Sequence, residues 1–405
     1  SNPLNFIKSK ILRFDTIISE VILKKSQFFQ APGKNPGSAQ NLVNRESRDD
    51  VMSKASGTEK SVVLAGDIGG TKTRLAAFAL KNGLRKPVAE DVFESMKYRD
   101  FETIVREFVS RNAVMPGFAS FGVAGPVMAG KAEITNLPWV IDEASLGLSF
   151  DFTAVRLLND VAALAYSVPV LGRSDLQVLN RGHPDSCGTV AVVAPGTGLG
   201  EAYLAPDDAG FRVHASEGGH ADFAPANDLE IGLLSRLMSR FGHVSCERVC
   251  SGMGIANIYA YLRDSGYGGN HKQHAGGIDG ADNPVPGIVQ AALDAEKPCP
   301  LCRKTVETFV SVLGAEAGNL CLKVMAMGGV YLGGGIPPRI VEILKNGIFM
   351  DAFTGKGRMS GLMARVPVYV IMNSRAGLLG AAHYAMKMQG KNAGSADMNL
   401  NSRKG

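Results

Sequence analysis

Short apolar runs that end in turn residues alternate with helical spacing along most of the chain. After residue 60, the segments SVVLAGD, TRLAAFAL, GFASFGVAG and AVRLLND have the length and composition of strands, and FETIVREFVSRNA has the spacing of an amphipathic helix. Longer helices are predicted in the second half, over LEIGLLSRLMSRFG, GIANIYAYLRD and TVETFVSVLGAEAGNLCLKVMA. Strands that alternate with helices in this way predict a layered α/β fold.

The opening strand, turn and strand pattern occurs a second time, as GTVAVVAPGTGLGEAYL. Two copies predict two related lobes, which we place at residues 61–170, joined by a C-terminal helix at 376–390, and at residues 171–375. Residues 1–60 lack a periodic apolar pattern over much of their length and are predicted to be a mobile extension, as residues 391–405 are predicted to be a disordered tail. The tract 265–287 is predicted to be a glycine-rich surface loop. Met52 stands just before the compact region, and we expect a chain that starts there to be fully active.

Charge and composition narrow the function classes. The net charge is +5, but residues 1–60 hold ten Lys/Arg against six Asp/Glu, so the rest of the chain is close to neutral. No basic face with interleaved aromatic residues is present in that part, which argues against nucleic-acid binding. No apolar run is long enough to cross a bilayer, and the first residues do not have the pattern of a signal peptide, so we expect a cytoplasmic protein without stable membrane association. Six Cys in a chain of this length fit a reducing compartment.

A glycine-rich turn lies between the first two predicted strands and is a candidate for phosphate binding. Its residues are Gly66, Asp67, Ile68, Gly69, Gly70 and Thr71. Glycine permits positive φ and lets backbone N–H groups approach a phosphate, and the Asp67 carboxylate is a ligand type that Mg²⁺ takes through water. A hairpin turn without any ligand would contain the same residues, so this turn alone leaves both interpretations open.

A second glycine-rich turn in the repeated segment offers the same chemistry. It contains Gly196, Thr197 and Gly198, and the Thr197 hydroxyl adds a donor for a phosphate oxygen. Two such turns, one in each lobe, would hold a triphosphate from both sides. A third cluster, with Gly334 and Gly335, follows a strand-like segment and would leave room for an adenine ring.

Asn159 and Asp160 stand where a predicted strand ends and a predicted helix begins. Helix capping alone would explain Asp160, because aspartate is among the best N-cap residues. Alternatively, Asp160 accepts the proton of an attacking hydroxyl group while Asn159 hydrogen-bonds a neighbouring one. The helix N-terminus is expected to lower the pKa of Asp160. In phosphoryl transfer through a loose transition state, however, placement matters more than basicity.

Glu217, His220 and Glu247 supply two carboxylates and an imidazole group. A polyol needs such groups, because each sugar hydroxyl both donates and accepts a hydrogen bond. The same three residues are equally well explained as ordinary loop and solvated helix residues.

Cys299 and Cys302 have the spacing of a metal-binding pair, and His271 and His274 precede them. A zinc site of two Cys and two His is therefore conceivable. No second pair of this spacing exists, and both His lie in the glycine-rich tract, so free thiols at a helix start are the favoured interpretation.

In sequence order, the two turns together with LLND, EGGHADFAP and ERVCSG closely resemble the glucokinases of the bacterial type, within the sugar kinase, actin and heat-shock ATPase fold. The resemblance extends from about Val62 to Met386, and ITNLPW and NSRAGLLGAA add to it. It implies a two-lobed α/β fold of the actin-like ATPase, or ribonuclease H-like, type with a cleft between the lobes.

The resemblance also implies an activity: ATP-dependent phosphorylation of glucose at the 6-hydroxyl, with Mg²⁺, by a cytoplasmic homodimer that feeds glycolysis. Asp160 matches the family's general base, and the residues that match its sugar ligands are Asn159, Glu217, His220, Glu247 and, in TNLPW, Asn136. Residues 66–71 match the ATP-binding turn.

One departure distinguishes this chain from a related subfamily. The related repressor–kinase group has a dense Cys cluster after its active-site His, whereas the first Cys residues after His220 in this chain are Cys246 and Cys250, in a different pattern. We therefore expect a zinc-free, non-repressor glucokinase. A kinase for another hexose or phosphoryl donor, and a non-catalytic sugar sensor on the same fold, remain alternatives.

Overall fold

The computed structural model describes residues 62–134, 136–208, 210–267, 277–297 and 299–401. The strands are β1 Val62–Ile68, β2 Lys72–Ala79, β3 Ala89–Glu94, β4 Phe118–Val123, β5 Val127–Met128, β6 Lys131–Glu133, β7 Val140–Asp142, β8 Ala154–Asn159, β9 Leu176–Asn180, β10 Val190–Pro195, β11 Leu199–Asp207, β12 Gly210–Ser216, β13 Gly329–Leu332 and β14 Val368–Ile371. The α-helices are α1 Phe101–Asn112, α2 Glu143–Phe150, α3 Asp160–Ser167, α4 Asp228–Phe241, α5 Gly252–Asp264, α6 Val285–Leu293, α7 Pro300–Val324, α8 Val341–Leu344, α9 Ile348–Thr354, α10 Ser360–Met363 and α11 Ala376–Asn401. The predicted extension 1–60, His271, His274 and residues 402–405 lie outside the described residues.

The first sheet has the strand order β3-β2-β1-β4-β8. β1 and β2 form an antiparallel hairpin, and β4 and β8 continue the sheet in parallel with β1. On one face, α1 buries Phe101 and Phe108 completely, and the Phe101 ring meets Phe121 of β4 edge to face. The buried residues of α1 recur at helical spacing, so they lie on one face of the helix, and this face packs on the sheet.

The second sheet repeats this arrangement, with the strand order β12-β11-β10-β13-β14-β9. Again an antiparallel hairpin, β10 and β11, is followed by parallel strands, β13 and β14. The long helix α7 packs against this sheet and contributes fully buried residues such as Phe309 and Leu313 to its core. The repeat that the sequence predicts is therefore a repeat of sheet topology, and the α/β fold class is confirmed.

Two helices, α3 and α11, connect the two sheets. In α3, Ala163 lies against Gly122 of the first sheet, where an added Cβ would approach its methyl to 2.9 Å, and Val161 occupies the space beside Gly200 of the second sheet. An added Cβ at Gly380 of α11 would overlap the carbonyl oxygen of Ala163. Glycine at these points allows the backbones to approach closely enough to hold α3 in place.

The structure differs from the sequence prediction at several boundaries. α3 ends at Ser167, because Pro169 follows, and α6 begins at Val285, inside the tract predicted as a loop, with Pro286 in its first turn. A small sheet, β5-β6-β7, was not predicted. α11 continues to Asn401, past residue 390. The lobe boundaries proposed above remain predictions.

Within the described ranges, no helix combines the length and the apolar character needed to cross a membrane.

Candidate active site

The first glycine-rich segment is only partly a turn. Gly66, Asp67 and Ile68 belong to β1, which pairs with β2 up to Ile68 and Thr73, so the turn itself is Gly69–Thr71. The positive φ that glycine permits is not adopted by Gly66 or Gly69. Gly66 is required for packing instead: an added Cβ would lie 2.7 Å from the side chains of both Leu75 and Phe121.

The turn is fixed from behind by Ser95. The Ser95 hydroxyl donates to the carbonyl oxygen of Gly69 at 2.8 Å, and its N–H donates to the carbonyl oxygen of Thr71 at 3.0 Å. Among the described residues, the N–H groups of Gly70 and Thr71 have no partner. Both groups are therefore available to phosphate oxygens.

The second turn lies beside Glu247 and the third glycine cluster. The Gly196 N–H donates to the carbonyl oxygen of Gly198 at 2.8 Å, which closes the turn. A carboxylate oxygen of Glu247 accepts the N–H of Leu199 at 3.0 Å. An added Cβ at Gly334, whose φ is +79°, would lie 2.5 Å from the carbonyl oxygen of Pro195.

Part of the second and third glycine clusters faces solvent. Thr197 is exposed at the tip of the second turn, and Gly335 is exposed next to the guanidinium group of Arg339. Gly334 is the position in the three clusters where positive φ requires glycine. The second and third clusters thus form one continuous surface at the ends of β10 and β13.

Asn159, and not Asp160, caps helix α3. The Asn159 side-chain oxygen accepts the N–H groups of Val161 and Ala162 at 3.0 and 3.4 Å, and its Nδ2 donates to the carbonyl oxygen of Gly125 at 3.2 Å. The capping interpretation of Asp160 was therefore wrong. Because Asn159 satisfies the helix end, the Asp160 carboxylate is left for another role.

Three carboxylates interact electrostatically around the start of α3. Burial raises the pKa of Asp67, and the negative charge of Asp160 raises it further, while Arg74 opposes the shift. Burial also raises the pKa of Asp160, with a further contribution from Glu217, and this outweighs the hydrogen bonds from Val161 and Asn159. Asp160 retains contact with solvent.

The sequence prediction of a lowered pKa for Asp160 was wrong. Hydrogen bonds at the helix end do lower the pKa, but partial desolvation by the surrounding protein, together with the like charge of Glu217, outweighs them. A carboxylate with a raised pKa is a better general base.

Glu217 and His220 stand together on a short, exposed turn. The His220 Nε2 lies 3.8 Å from a Glu217 carboxylate oxygen, and both side chains are mostly exposed. The turn is held by a backbone hydrogen bond from Cys246 to Ala221 at 2.8 Å and by pairing between Asp222 and Ser245. The segment that follows Glu217 and His220 is thereby attached to the segment that immediately precedes Glu247.

The structure therefore brings together most of the predicted site residues. Asp160 interacts electrostatically with Asp67 and with Glu217. The turn that carries Glu217 is attached by backbone hydrogen bonds to the segment beside Glu247, and Glu247 contacts the second glycine turn. Asn136 is not connected to this group by any contact among the described residues. It is exposed in the β6–β7 turn with φ of +67°, a conformation that asparagine adopts more readily than most residues.

Two buried carboxylates behind the site were missed by the sequence analysis. Glu201 of β11 is 2% exposed and Glu316 of α7 is 7% exposed. An added Cβ at Gly218, next to Glu217, would overlap Glu201 Oε2. The available signal was a Glu inside the apolar strand segment GLGEAYL, where a charged residue is unusual.

The cysteine pair of the zinc hypothesis lies elsewhere. Cys299 and Cys302 are buried free thiols at the start of α7, with their sulfur atoms 2.9 Å apart. No cluster of three or more His, Cys, Asp or Glu that could hold a metal ion occurs in the described part of the chain. The two His of that hypothesis lie outside it.

Comparison with known proteins decides the family. The glucokinase family profile matches residues 64–388. The chain belongs to the glucokinase family. Among the relatives are the glucokinases of Nostoc punctiforme, 38% identical over 81% of this chain and 100% of the relative, and of Synechocystis sp., 39% identical over 79% and 96%.

Solved structures agree with the assignment to the glucokinase family. A glucokinase from an Antarctic psychrotroph is 33% identical, with a TM-score of 0.70 over 81% of this chain and 99% of that one. A Balamuthia mandrillaris glucokinase in complex with glucose has a TM-score of 0.65 at 20% identity, over 83% and 96%, and supports the fold. The actin-like, two-sheet architecture of the glucokinase family is thus confirmed for this chain.

Proposed function

We propose that this chain transfers the γ-phosphoryl group of MgATP to the 6-hydroxyl of glucose, giving glucose 6-phosphate and ADP. The observation that carries the proposal is the position of Asp160, which interacts electrostatically with Asp67 next to the first glycine turn and with Glu217 on the exposed turn. Such a carboxylate stands between a candidate phosphate site and a candidate sugar site.

In this reaction Asp160 orients the attacking hydroxyl and accepts its proton. The raised pKa of Asp160, caused first by burial, improves it as a proton acceptor. Its fixed place at the first turn of α3 aligns the hydroxyl oxygen with the phosphorus atom, which is the main contribution a protein makes to phosphoryl transfer.

The sugar is recognised by side chains that accept and donate hydrogen bonds. Glu217 and Glu247 accept from sugar hydroxyls, and His220 does so or donates according to its tautomer. The Asn159 side chain hydrogen-bonds both the carbonyl oxygen of Gly125 and the Asp160 carboxylate, and we propose that it binds a hydroxyl next to the reacting one. Asn136 is a further proposed sugar ligand, and the family resemblance is its only support.

The nucleotide is held by the glycine clusters. The open N–H groups of Gly70 and Thr71 bind phosphate oxygens, with Thr197 donating from the second turn, and the third cluster borders the adenine ring. The first turn is shaped by Gly66, Asp67, Ile68 and Gly69. The second turn is shaped by Gly196 and Gly198, and the third cluster is shaped by Gly334 and Gly335.

The residues fit a magnesium ion that travels with ATP. Asp67 and Asp160 supply hard oxygen donors, and the repulsion that raises the pKa of Asp67 would be relieved by a cation. Asp67 would hold the ion through water. When bound, the ion would neutralise charge on the phosphates.

A panel of sugars and phosphoryl donors tests the substrate assignment. We expect kcat/KM for glucose with ATP to exceed the values for mannose, fructose and other hexoses, and those with ADP or polyphosphate as donor. Higher kcat/KM for another sugar or donor would reassign the substrate while leaving the kinase proposal in place. Sugar binding without any product would indicate a sensor.

We further propose that the enzyme is a cytoplasmic homodimer, as the family resemblance implies. Size-exclusion chromatography with light scattering should give twice the chain mass of 42.8 kDa. A mass of one chain at working concentration would overturn the dimer without affecting the chemistry.

A further inference from the structure

Glu201 and Glu316 form a buried acidic pair behind the exposed turn of Glu217 and His220. Oε1 of Glu201 and Oε1 of Glu316 are both buried, and neither has a hydrogen-bond partner among the described residues. An ionised carboxylate can only accept hydrogen bonds, so two facing carboxylates leave such oxygens unsatisfied, at considerable cost in a buried site. One proton placed between them converts one group into a donor and removes this cost.

Two lysines near the pair, Lys323 and Lys356, offset its charge only in part, since the pKa of Glu201 stays raised. Lys323 Nζ lies 4.0 Å from Glu316 Oε1, on a mostly exposed side chain, so it only weakly offsets the charge. Lys356 Nζ donates to Asn319 Oδ1 at 2.6 Å, and Asn319 Nδ2 donates to Glu316 Oε2 at 3.1 Å. All of these contacts involve Glu316 or the residues next to it.

The remaining titratable neighbours are thiols. Cys246 and Cys250 lie buried close together, and the hydrogen bond between the two thiols, together with burial, raises the pKa of Cys246, so this thiol is uncharged. Burial is also the main reason, followed by the charge of Glu316, that the pKa of Glu201 is raised to about 7. The proton of the pair is therefore lost close to neutral pH.

The pair is in direct contact with the turn that carries the proposed sugar ligands. Glu201 is paired across the sheet with Ser216, and the Ser216 hydroxyl accepts the N–H of Gly218 at 3.0 Å. An added Cβ at Gly218 would overlap Oε2 of Glu201, so the carboxyl group supports the backbone between Glu217 and His220. A displacement of Glu201 would be transmitted to both residues.

We propose that Glu201 is a positioning residue for the sugar site, and that a proton shared with Glu316 holds the Glu217–His220 turn in its binding conformation. This inference rests on the proposed function. When the proton is lost, the two buried charges repel each other, Glu201 moves toward Gly218, and the turn shifts. Glucose then binds more weakly, whereas Asp160 is not displaced.

The test is the KM for glucose as a function of pH. For the wild-type enzyme, KM should rise by about threefold or more between about pH 6 and about pH 9, because the bound state holds the proton more tightly than the free state. In Glu201→Gln and Glu316→Gln an amide replaces the shared proton as donor, so KM should stay nearly constant over this range while kcat remains close to that of the wild type.

Glu307→Gln is the matched control. Glu307 is on the same helix as Glu316 but forms a partly exposed ion pair with Arg303 at 2.7 Å. This variant should keep the wild-type dependence of KM on pH. A loss of the dependence in the control would show that the effect is a general charge effect and would overturn the inference.

Calorimetry of the wild-type enzyme provides a second measurement that requires no variant to fold. Glucose titrations in two buffers of different ionisation enthalpy, near pH 7.5, should show net proton uptake on binding. Absence of proton uptake, a KM that does not change with pH, or a rise that persists in Glu201→Gln contradicts the shared proton. In each of these cases glucose-dependent ADP formation still stands, whereas absence of that activity refutes the proposed function itself.

Discussion

Asp160 owes its properties to neighbours on other elements of the fold. The N-cap role is taken by Asn159, and burial, together with Glu217, raises the pKa of the Asp160 carboxyl group. Asn159 caps the helix, and burial outweighs the hydrogen bonds that stabilise the Asp160 anion, so the carboxylate is free to accept a proton. A substitution of Asp160 can therefore lower the catalytic rate without lowering the stability of the protein.

Replacement Asp160→Asn should lower kcat by about a thousandfold or more, because the amide cannot accept the hydroxyl proton. The midpoint of thermal unfolding and the affinity for glucose should remain close to those of the wild type. Asp151→Asn is a suitable control, since Asp151 is exposed in a left-handed conformation that asparagine also adopts. Turnover near the wild-type rate in Asp160→Asn would remove Asp160 from the mechanism.

The pH dependence of kcat/KM for glucose should reflect the same carboxylate. The pKa of Asp160 is raised above the ordinary 3.8, so the active, ionised form is lost as the pH falls through this higher value. An acidic limb above pH 3.8 is expected in the rate profile. Full activity down to about pH 4 would show that no base with a raised pKa takes part.

At the residue scale, the sequence singled out Asn159 and Asp160 as candidate site residues. It offered Asp160 as a helix cap, a role that Asn159 takes, and predicted the wrong direction for the shift of the Asp160 pKa. Local position predicts the helix-end contribution correctly. It does not reveal that Glu217 and the walls of the site lie close to the carboxylate, because that proximity is created by the tertiary fold. The buried Glu201 escaped notice for the same reason.

At the scale of elements, α3 is held by close backbone contact. The helix α3 is closely approached by three glycines, Gly122, Gly200 and Gly380. Each glycine lies against a side chain or a backbone atom of the helix. The strands and long helices were predictable from apolar periodicity. The packing of Gly66 against Leu75 and Phe121 was not predicted, because it has no signature in the local sequence.

Gly380→Ala should destabilise the protein by several kcal/mol, because the added methyl would overlap the carbonyl oxygen of Ala163 and separate α11 from α3. Gly390→Ala is the control on the same helix. An added Cβ there has open space, so this change should be neutral or stabilise by up to about 1 kcal/mol. Equal unfolding midpoints for the two variants would contradict the close-packing account.

At the scale of the whole molecule, two sheets with the same order of an antiparallel hairpin and parallel strands surround the connecting helices. The order of motifs along the sequence was sufficient to predict this architecture and the family. The pairing of Glu201 with Glu316 was not predictable, because the two residues come from a strand and a helix that are distant in sequence and meet only in the folded core.

The buried pair should also affect global stability. The pKa of Glu201 is about 7 in the folded protein against an ordinary 4.5, so the folded state holds an extra proton between these values. The free energy of unfolding should therefore fall as the pH rises from about 4.5 to about 7, by up to about 3 kcal/mol, and then level off. In Glu201→Gln this decrease should be largely absent in denaturant titrations, and a decrease equal to that of the wild type would contradict the assignment.

The most direct test of the central claim is the rate of ADP release by the wild-type chain with MgATP, measured with and without glucose, together with enzymatic detection of glucose 6-phosphate. We predict that ADP forms rapidly only when glucose is present and that one glucose 6-phosphate appears for each ADP. ADP release that is independent of glucose, or glucose binding without any phosphorylated sugar, would contradict the account.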